Sequence, residues 1–145
     1  MQDLSYILVD LKNRGHRITN IRKAILGLLV KSPEPLSSPD LQKLLSKKKT
    51  SANKTTVYRE IAFLKEQNLV RELRFGENTK RYEIIQDGHH HHIVCVNCEK
   101  VEDVELEKDL DAKEKMITRD KGFKIINHSL EFYGICRGCQ VSSKT

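Results

Sequence analysis

One stretch of the sequence, residues 55–85, decides the fold and reads TTVYREIAFLKEQNLVRELRFGENTKRYEII. Its first part repeats apolar residues at helical spacing, which predicts a helix from Thr55 to about Gln67. Two β-prone runs follow, LVRELRF and KRYEII, and the Gly- and Asn-containing GENT separates them. Such a pattern is typical of a β-hairpin. A hairpin that starts almost directly after a helix is able to pack against that helix.

Two further helices are predicted upstream of this stretch. We expect Asn20 to cap the first, and Ser37 or Ser38, followed by Pro39 and Asp40, to start the second. Apolar residues then fall on one face of each helix, at Ile21, Ala24, Ile25, Leu28 and Leu29 and at Leu41, Leu44 and Leu45. Three helices followed by a hairpin make the pattern of a winged helix-turn-helix.

The second half of the chain predicts a small α/β arrangement. In order, it contains short strands at HIVCVNC and KVEDVEL, a charged amphipathic helix from Glu107 to Lys121, and a final strand over FKIINHSLEFYGIC. Asp87 and Gly88 mark the boundary between the halves. We therefore expect an α+β protein with two domains: a winged helix-turn-helix in residues 1–85 and a small α/β domain in residues 86–145.

The 145-residue chain has the composition of a folded, soluble protein, since 38% of its residues are hydrophobic and 32% are charged. No apolar run approaches the ~20 residues that a membrane-spanning helix needs. The N-terminus, MQDLSYILVDLKNRG, has acidic residues on both sides of a short apolar run and does not resemble a signal peptide. We therefore expect a cytoplasmic protein with no membrane association.

Charge is distributed unevenly between the halves. Residues 1–85 carry 17 Lys and Arg against 9 Asp and Glu, a net +8, whereas residues 86–145 carry 9 against 11, a net −2. A basic first half and a nearly neutral second half indicate that only the first domain binds a polyanion such as DNA. The alternative is a solvated, lysine-rich surface with no such partner.

All four cysteines lie in two CxxC pairs, Cys95 with Cys98 and Cys136 with Cys139. Two intervening residues let both sulfurs of a pair reach one ion from a tight turn, and two such pairs supply the four thiolates of a closed, structural zinc site. Because 37 residues separate the pairs, the ion would connect the last strand of the domain to its first. A disulfide framework and a thioredoxin-like redox site are the alternatives.

Four consecutive histidines, His89 to His92, precede the first CxxC pair. In a strand, His90 and His92 point to one face while His89 and His91 point to the other. Each face then offers two nitrogen ligands, which the side chains of further residues could complete: Glu83, Asp103, Asp111 and His128. Such ligands suit Fe(II), Zn(II), Mn(II), Co(II) or Ni(II). A histidine tract with weak, nonspecific metal affinity is the alternative.

Three segments together resemble the ferric uptake regulator (Fur) family, namely TTVYREIAFLKEQNLV, HHHHIVCVNCEKVEDVE and NHSLEFYGICRGC. The resemblance extends from LKNRGHRIT to Cys139, and its segments occur in the same order as in the family. It implies a homodimer in which residues 86–145 form a zinc-containing dimerisation domain between two winged helices. It also implies a regulatory metal at the hinge between the halves. Binding of this metal closes the dimer into a shape that fits an AT-rich palindromic operator. The DNA-bound dimer then represses genes for metal uptake or stress defence.

The resemblance also assigns ligands to three metal sites. Four thiolates match the structural zinc site: Cys95, Cys98, Cys136 and Cys139. Four side chains match the regulatory hinge site: Glu83, His90, His92 and Asp103. Four more match an additional site in the dimerisation domain, with a one-residue gap needed to align the aspartate: His89, His91, Asp111 and His128.

Departures from the family pattern bear on the sensed metal. Pro35 stands where many members have a histidine ligand of the hinge site, and His91 stands where iron sensors often carry aspartate. No cysteine is left for the cysteine-containing sensor site that is common among zinc-sensing relatives. Glu83 in place of aspartate favours an iron sensor over a peroxide sensor. Fe²⁺ is therefore the favoured regulatory ion, with Zn²⁺ or Mn²⁺ as alternatives.

The first turns of the predicted recognition helix carry the expected DNA contacts, beginning at Thr55. Thr56 and Tyr58 suit thymine methyl groups, and Arg59 suits guanine or phosphate. Core packing is the alternative role of Tyr58. Arg17 resembles the family's basic residue that enters an AT-rich minor groove, where the narrow groove concentrates negative potential.

The function that we expect is metal-dependent repression through double-stranded operator DNA, most specifically iron-responsive control of metal uptake. Zinc-, manganese- and peroxide-responsive members of the same family are the alternatives. A metal storage or chaperone protein would leave the recognition helix without a role. A zinc hydrolase would need an open metal site, and the sequence contains no HExxH, GxSxG or phosphate-binding loop. We therefore expect no enzymatic activity and no small-molecule substrate.

Overall fold

The computed structural model describes four ranges of the chain: 3–75, 79–86, 90–106 and 109–142. The chain divides into two compact units, residues 1–87 (unit 1) and 88–145 (unit 2). The described elements of unit 1 are α1 (Leu4–Asn13), α2 (Asn20–Lys31), β1 (Leu36–Ser37), α3 (Ser38–Lys47), α4 (Lys54–Glu66), β2 (Val70–Phe75) and β3 (Thr79–Ile84). Those of unit 2 are β4 (His91–Cys95), β5 (Val101–Val104), α5 (Asp109–Lys121), β6 (Glu131–Gly134) and α6 (Arg137–Ser142).

Side-chain caps set the points at which the helices of unit 1 begin. The Thr19 hydroxyl accepts a hydrogen bond from the amide of Arg22 (3.2 Å), so Thr19, rather than the predicted Asn20, is the N-cap of α2. Thr19 has an extended backbone, whereas Asn20 is already helical. Ser37 and Asp40 form a capping box at the start of α3, in which each side chain accepts a hydrogen bond from the backbone amide of the other.

Helix α4 and the hairpin lie where the sequence predicts them. Asn53 caps α4 by accepting a hydrogen bond from the amide of Thr56 (2.8 Å). Strands β2 and β3 pair antiparallel and place Arg71 opposite Glu83, and the GEN part of the predicted turn lies outside the described residues. The sequence did not predict β1, which pairs with β3 and completes a sheet of order β1–β3–β2. Two residues are too few to show a strand's alternation.

Unit 1 packs around one buried core. Helix α1, which the sequence did not predict, contributes Ile7 and Leu11, and α4 contributes Val57, Ile61 and Leu64 from one face. The described core consists of Ile7, Leu11, Ile25, Leu26, Leu28, Leu29, Leu41, Leu45, Val57, Ile61, Leu64, Leu69, Val70, Tyr82 and Ile84. Burial of a large apolar side chain contributes about 1.5–3 kcal/mol. The core therefore fixes which face of α4 remains at the surface.

Unit 2 is built on a three-stranded sheet of order β5–β4–β6. Strand β4 pairs antiparallel with β5 and parallel with β6. Helix α5 ends before Gly122, whose positive φ of 71° suits glycine and whose amide donates to the carbonyl of Thr118 (3.0 Å). The final strand is shorter than predicted, because only four residues pair with β4 while residues 122–130 form no helix or strand. Helix α6 was not predicted.

Unit 2 buries few apolar side chains. In its described part, the buried hydrophobic residues are Val94, Cys95 and Val101. The exposed large apolar residues are more numerous: Ile93, Val96, Leu106, Met116, Ile117, Phe123, Ile126, Phe132, Tyr133, Ile135 and Val141. Apolar positions of α5 thus remain at the surface of the single chain. None of the described helices combines the length and apolar character of a membrane-spanning segment.

Candidate metal centres and DNA-binding surface

The four cysteines converge because β4 and β6 are parallel neighbours. Cys95 ends β4, and its register partner is Gly134 at the end of β6. The amide of Val96 continues the pairing by donating to the Gly134 carbonyl (2.9 Å). The chain then leads from β6 through Cys136 into α6, which carries Cys139. Parallel strand pairing therefore closes the 37-residue gap between the two CxxC pairs.

The sulfur atoms form a cluster of the size that a zinc ion requires. All four Sγ atoms lie within 4.8 Å of one another, and those of Cys98 and Cys136 are 3.7 Å apart. Tetrahedral zinc with Zn–S bonds of about 2.3 Å places its sulfurs about 3.8 Å apart. A disulfide would need an S–S distance of about 2.05 Å, and all four cysteines are free. The geometry fits four-thiolate zinc and does not fit the disulfide alternative.

Local hydrogen bonds shift the pKa values of Cys95 and Cys139 in opposite directions. The amide of Cys136 donates to Cys95 Sγ (3.3 Å), and this bond, with further backbone N–H groups, lowers the pKa of Cys95 to about 6. Hydrogen bonding with the side chain of Cys136, and then with the other thiols, raises the pKa of Cys139 to about 12. Such crowded thiols can all ionise only beside a compensating charge, which a divalent cation supplies. The cluster thus has the chemistry of a metal site.

Three of the four predicted hinge-site ligands lie close together in unit 2. The rings of His90 and His92 have centroids 4.9 Å apart and an interplanar angle of 79°. His92 Nε2 is 3.6 Å from Asp103 Oδ1, because the two residues are register partners on β4 and β5. Two imidazoles and a carboxylate in this arrangement are suitable ligands for a divalent transition metal.

The fourth predicted hinge-site ligand, Glu83, belongs to β3 in unit 1. Its Oε1 accepts a hydrogen bond from Nε of Arg71 (2.6 Å), the residue that faces it across the hairpin. A cation that binds Glu83 through this oxygen would compete with the guanidinium group. The membership of Glu83 in the hinge site stays a prediction.

His91 and His128 form a second histidine pair in unit 2, with ring centroids 5.5 Å apart. Nδ1 of His128 pairs with the carboxylate of Glu114 on α5. The sequence predicted Asp111 instead, which is exposed and lies about one helical turn earlier. In the sequence, Glu114 could have been found only from its position three residues after Asp111, which places both carboxylates on the same side of a helix. The rotation of α5 about its axis decides which of the two faces His128. The remaining predicted ligand, His89, lies outside the described residues.

The recognition helix α4 presents its first turns to solvent. Thr55, Tyr58 and Arg59 are exposed, and Thr56 is half-buried. Tyr58 retains 44% of its accessible surface, so the alternative that it packs in the core is wrong. Arg17 is also exposed, in the segment between α1 and α2. These five side chains are accessible to a DNA duplex, and their individual contacts stay predictions.

A winged helix with an exposed recognition helix, combined in one chain with a four-cysteine metal cluster, defines a metal-binding, DNA-binding transcription regulator. The sequence profile of the Ferric uptake regulator family matches residues 13–133, and the chain belongs to this family. The resemblance predicted from the sequence is confirmed, as is the α+β fold with an N-terminal winged helix-turn-helix. Proteins of this family are transcription regulators and not enzymes.

Two relatives match the chain over most of its length. The peroxide operon regulator of Bacillus subtilis (strain 168) is 36% identical over 137 residues, which cover 94% of this chain and 93% of the relative. The ferric uptake regulation protein of the same organism is 35% identical over 134 residues, which cover 90% and 89%. The solved structure of the ferric uptake regulator Fur of Helicobacter pylori has a TM-score of 0.82 at 24% identity and covers 96% of this chain and 95% of its own. This last likeness concerns the fold alone.

Proposed function

We propose that this chain is a metal-dependent repressor that binds AT-rich palindromic operators as a homodimer, with iron-responsive control of metal uptake as its specific role. One observation carries the proposal. An exposed recognition helix and a cluster of His90, His92 and Asp103 occur together in this chain, which belongs to a family of metal-binding regulators. The cluster would bind the regulatory metal, and the recognition helix would then bind DNA in the cytoplasm.

Structural zinc is the first ion that we propose. Cys95, Cys98, Cys136 and Cys139 would hold it, and it would neutralise thiolate charge where β4 and α6 meet. Four thiolates complete the tetrahedral coordination of a zinc ion and leave no coordination position for water or substrate. The role of this ion is therefore structural, and it contributes to the folding of unit 2.

Support for a homodimer comes from the apolar surface that unit 2 exposes. Ile93 and Phe132 are register partners on the neighbouring strands β4 and β6, so their side chains lie side by side on one face of the sheet. Ile126 retains 93% of its accessible surface. Exposed apolar side chains that lie together, as those of Ile93 and Phe132 do, indicate an interaction site. A second copy would cover it symmetrically, because each copy offers the same surface to the other.

The regulatory ion is proposed to bind Glu83, His90, His92 and Asp103. The order of these ligands along the chain supports a coupling role, because Glu83 precedes the division between the units and the other three follow it. A cation held by both groups would restrict the relative motion of the units and so favour one spacing of the two recognition helices. If it binds the DNA-competent arrangement about 100-fold more tightly, it shifts the equilibrium by ~2.7 kcal/mol.

The identity of the regulatory ion rests on the ligands of this chain. Its nitrogen and oxygen donors are compatible with Fe²⁺ and also with Mn²⁺ and Zn²⁺. Glu83 in place of aspartate is the residue that favours an iron sensor. The second candidate function is peroxide-responsive repression, since the peroxide operon regulator and the ferric uptake regulation protein of Bacillus subtilis are almost equally similar to this chain.

An additional ion is proposed to bind at the pair of His91 and His128. We assign Glu114 as its carboxylate ligand on the strength of the Glu114–His128 contact. His89 stays a predicted ligand of this site, and Asp111 stays a predicted alternative to Glu114. The regulatory role of the hinge site does not depend on this third ion.

The test combines metal analysis with DNA binding. Protein purified without chelator is expected to contain one zinc per chain. Titration with Fe²⁺, Mn²⁺ or Zn²⁺ under anaerobic conditions should then induce binding to an AT-rich palindromic duplex recovered by selection from random DNA, with Fe²⁺ acting at the lowest concentration. Binding that ignores all three ions would refute metal dependence. Loss of DNA binding after peroxide treatment of the Fe²⁺ form would favour the second candidate.

Variants locate the regulatory ion in the same assay. Replacing His90 and His92 together with alanine should abolish the metal response while leaving the zinc content unchanged. Asp103→Asn should weaken the response, because the shape of the side chain stays and its charge is lost. Glu105→Gln makes the same chemical change at an exposed neighbouring carboxylate and should have no effect. An unchanged metal response in the double histidine variant would refute the hinge assignment.

A further inference from the structure

Arg22, in the first turn of α2, makes four contacts with one guanidinium group. Its Nε and Nη2 donate to the two carboxylate oxygens of Glu60 (2.9 and 3.3 Å). Its Nη1 donates to the backbone carbonyl of Arg17 (2.6 Å), and Cζ lies 3.7 Å from the ring centroid of Phe63. The side chains of Arg22 and Glu60 are only 12% and 15% exposed. The guanidinium group of Arg22 therefore contacts other groups of the protein rather than a DNA phosphate.

The partners of Arg22 belong to two different parts of unit 1, and each part carries a predicted DNA contact. Glu60 and Phe63 lie on α4, two and five residues after the exposed Tyr58. The carbonyl of Arg17 belongs to residues 14–19, the connector between α1 and α2, from which the Arg17 side chain is exposed. The largely buried guanidinium group of Arg22 thus joins the connector to the recognition helix.

A second set of contacts holds the connector to the end of α4. Nε2 of His16 lies at hydrogen-bond distance, 3.0 Å, from Oε1 of Gln67. The His16 ring stands edge-on to Phe63, with centroids 5.0 Å apart. Nη1 of Arg14 donates to the Gln67 carbonyl (3.1 Å). Arg14 and His16, which precede Arg17, therefore contact α4 and its C-cap directly, and the Arg17 carbonyl is linked to α4 through Arg22.

We propose that Arg22 is a positioning residue for Arg17: it fixes the Arg17 backbone to α4, so that the Arg17 side chain meets the minor groove while α4 occupies the adjacent major groove. This inference rests on the proposed DNA-binding function. An arginine on a loose segment loses conformational entropy when DNA orders it, whereas a preorganised one does not. Minor-groove width varies with A·T content, and an arginine held in a defined place discriminates between widths.

A purely stabilising role of Arg22 leads to a different pattern of DNA binding. The Arg22–Glu60 pair is largely buried, and removal of one partner leaves an uncompensated charge that destabilises the fold. Such destabilisation weakens binding to every duplex equally. Mispositioning of Arg17 instead weakens binding only where the minor groove is narrow. The ratio of affinities for two duplexes therefore separates the two roles.

The experiment uses the full chain and two duplexes, loaded with the ion that gives the strongest binding. The first duplex is the selected AT-rich palindrome, and in the second the flanking A·T pairs are replaced by G·C. Arg17→Ala and Arg22→Gln should each weaken binding to the first about tenfold and binding to the second at most about twofold. The double variant should bind no more weakly than Arg17→Ala alone, because both changes remove the same contact.

Two further variants act as controls. Leu26→Ala opens the buried core of unit 1 and leaves the Arg22, His16 and Arg14 contacts named above in place, so it should lower thermal stability and keep the ratio of affinities. Arg22→Lys retains the charge but cannot make the forked contacts, so it should behave like Arg22→Gln. Equal losses on both duplexes, or additive losses in the double variant, would overturn the proposal.

Amide hydrogen exchange in the DNA-free protein gives a readout that does not depend on DNA binding. Arg22→Gln should accelerate exchange in the connector while exchange in the middle of α4 stays unchanged. Unchanged exchange in the connector would also overturn the proposal. If the unmodified protein binds no palindromic duplex with any of the three ions, the proposed function fails, and the exchange data still decide whether Arg22 orders the connector.

Discussion

Unit 1 and unit 2 bury apolar surface to very different extents. Among the described residues, fifteen form the core of unit 1, whereas the buried hydrophobic residues of unit 2 are Val94, Cys95 and Val101. Folded units below about 70–80 residues usually need a metal, disulfides or a partner to supplement their cores. The contrast is the basis for proposing that unit 1 is stabilised by its own packing, whereas unit 2 would depend on bound metal and a second copy.

The buried polar residues sharpen this contrast. In the described part of unit 2, His91 and His92 are buried together with Cys95, and all three are predicted metal ligands. Among the described residues of unit 1, the buried polar side chain is Ser38, which is not a predicted ligand. If these residues bind metal as proposed, the stability of unit 2 and its metal response would depend on the same side chains.

The largest effect is expected from loss of a zinc ligand. Cys95→Ser or Cys139→Ser should abolish zinc binding, unfold unit 2 and dissociate the dimer, because structural zinc contributes on the order of 10–16 kcal/mol to small zinc domains. Unit 1 should stay folded. Zinc content, sedimentation and amide exchange in each unit would show this. Ser142→Ala, in the same short helix α6, is the matched control. A stable dimer with one zinc per chain would contradict the structural role.

A core substitution in unit 1 should have the opposite distribution of effects. Ile25 is fully buried, and Ile25→Ala should lower the free energy of unfolding of unit 1 by about 2–5 kcal/mol. Zinc content and the dimer should be retained. Val9→Ala, at a position 57% exposed on α1, should change stability by less than about 0.5 kcal/mol. Loss of zinc from the Ile25 variant would mean that the units are not independently stabilised.

A smaller effect is expected from the capping box of α3. Ser37→Ala removes the hydroxyl that accepts from the Asp40 amide (3.2 Å) and should cost about 1 kcal/mol of unit 1 stability. Chemical denaturation of the zinc-loaded protein would measure the change. Ser46→Ala, at an exposed hydroxyl within the same helix, is the control. Equal effects of the two substitutions would argue against the capping role.

The smallest effect concerns the ligand that unit 1 is proposed to share with unit 2. Arg71→Gln removes the guanidinium that contacts Glu83, so Fe²⁺ or Mn²⁺ should bind about two- to fivefold more tightly, as expected for a partly exposed ion pair. Competition with a metal-binding dye would measure the affinities. Arg74→Gln, on the same strand but paired with Glu72, should leave them unchanged. Unchanged affinity in the Arg71 variant would indicate that Glu83 does not bind the ion.

Local patterns predicted a large part of unit 1. The Ser-x-x-Asp pattern from Ser37 to Asp40 marked the start of α3, and apolar spacing marked α4, because these signals lie within a few residues of each other. The two-residue β1 and helix α1 were missed. Two residues are too few to show alternation in β1, whereas Leu4, Ile7, Leu8 and Leu11 do have helical spacing and could have indicated α1. The N-cap of α2 was displaced by one residue, since Thr19 and Asn20 both have side chains that can cap.

The sequence by itself determined the kinds of site in this protein, because CxxC spacing and a histidine run are local features that reveal the chemistry of the ligands. Tertiary structure decided which groups meet. Parallel pairing of β4 with β6 brings Cys95 close to Cys136, the rotational setting of α5 places Glu114 against His128, and chain folding joins Arg22 to Glu60 across 38 positions. Contacts between residues distant in the sequence depend on how helices and strands pack, and short-range residue patterns carry no information about that packing.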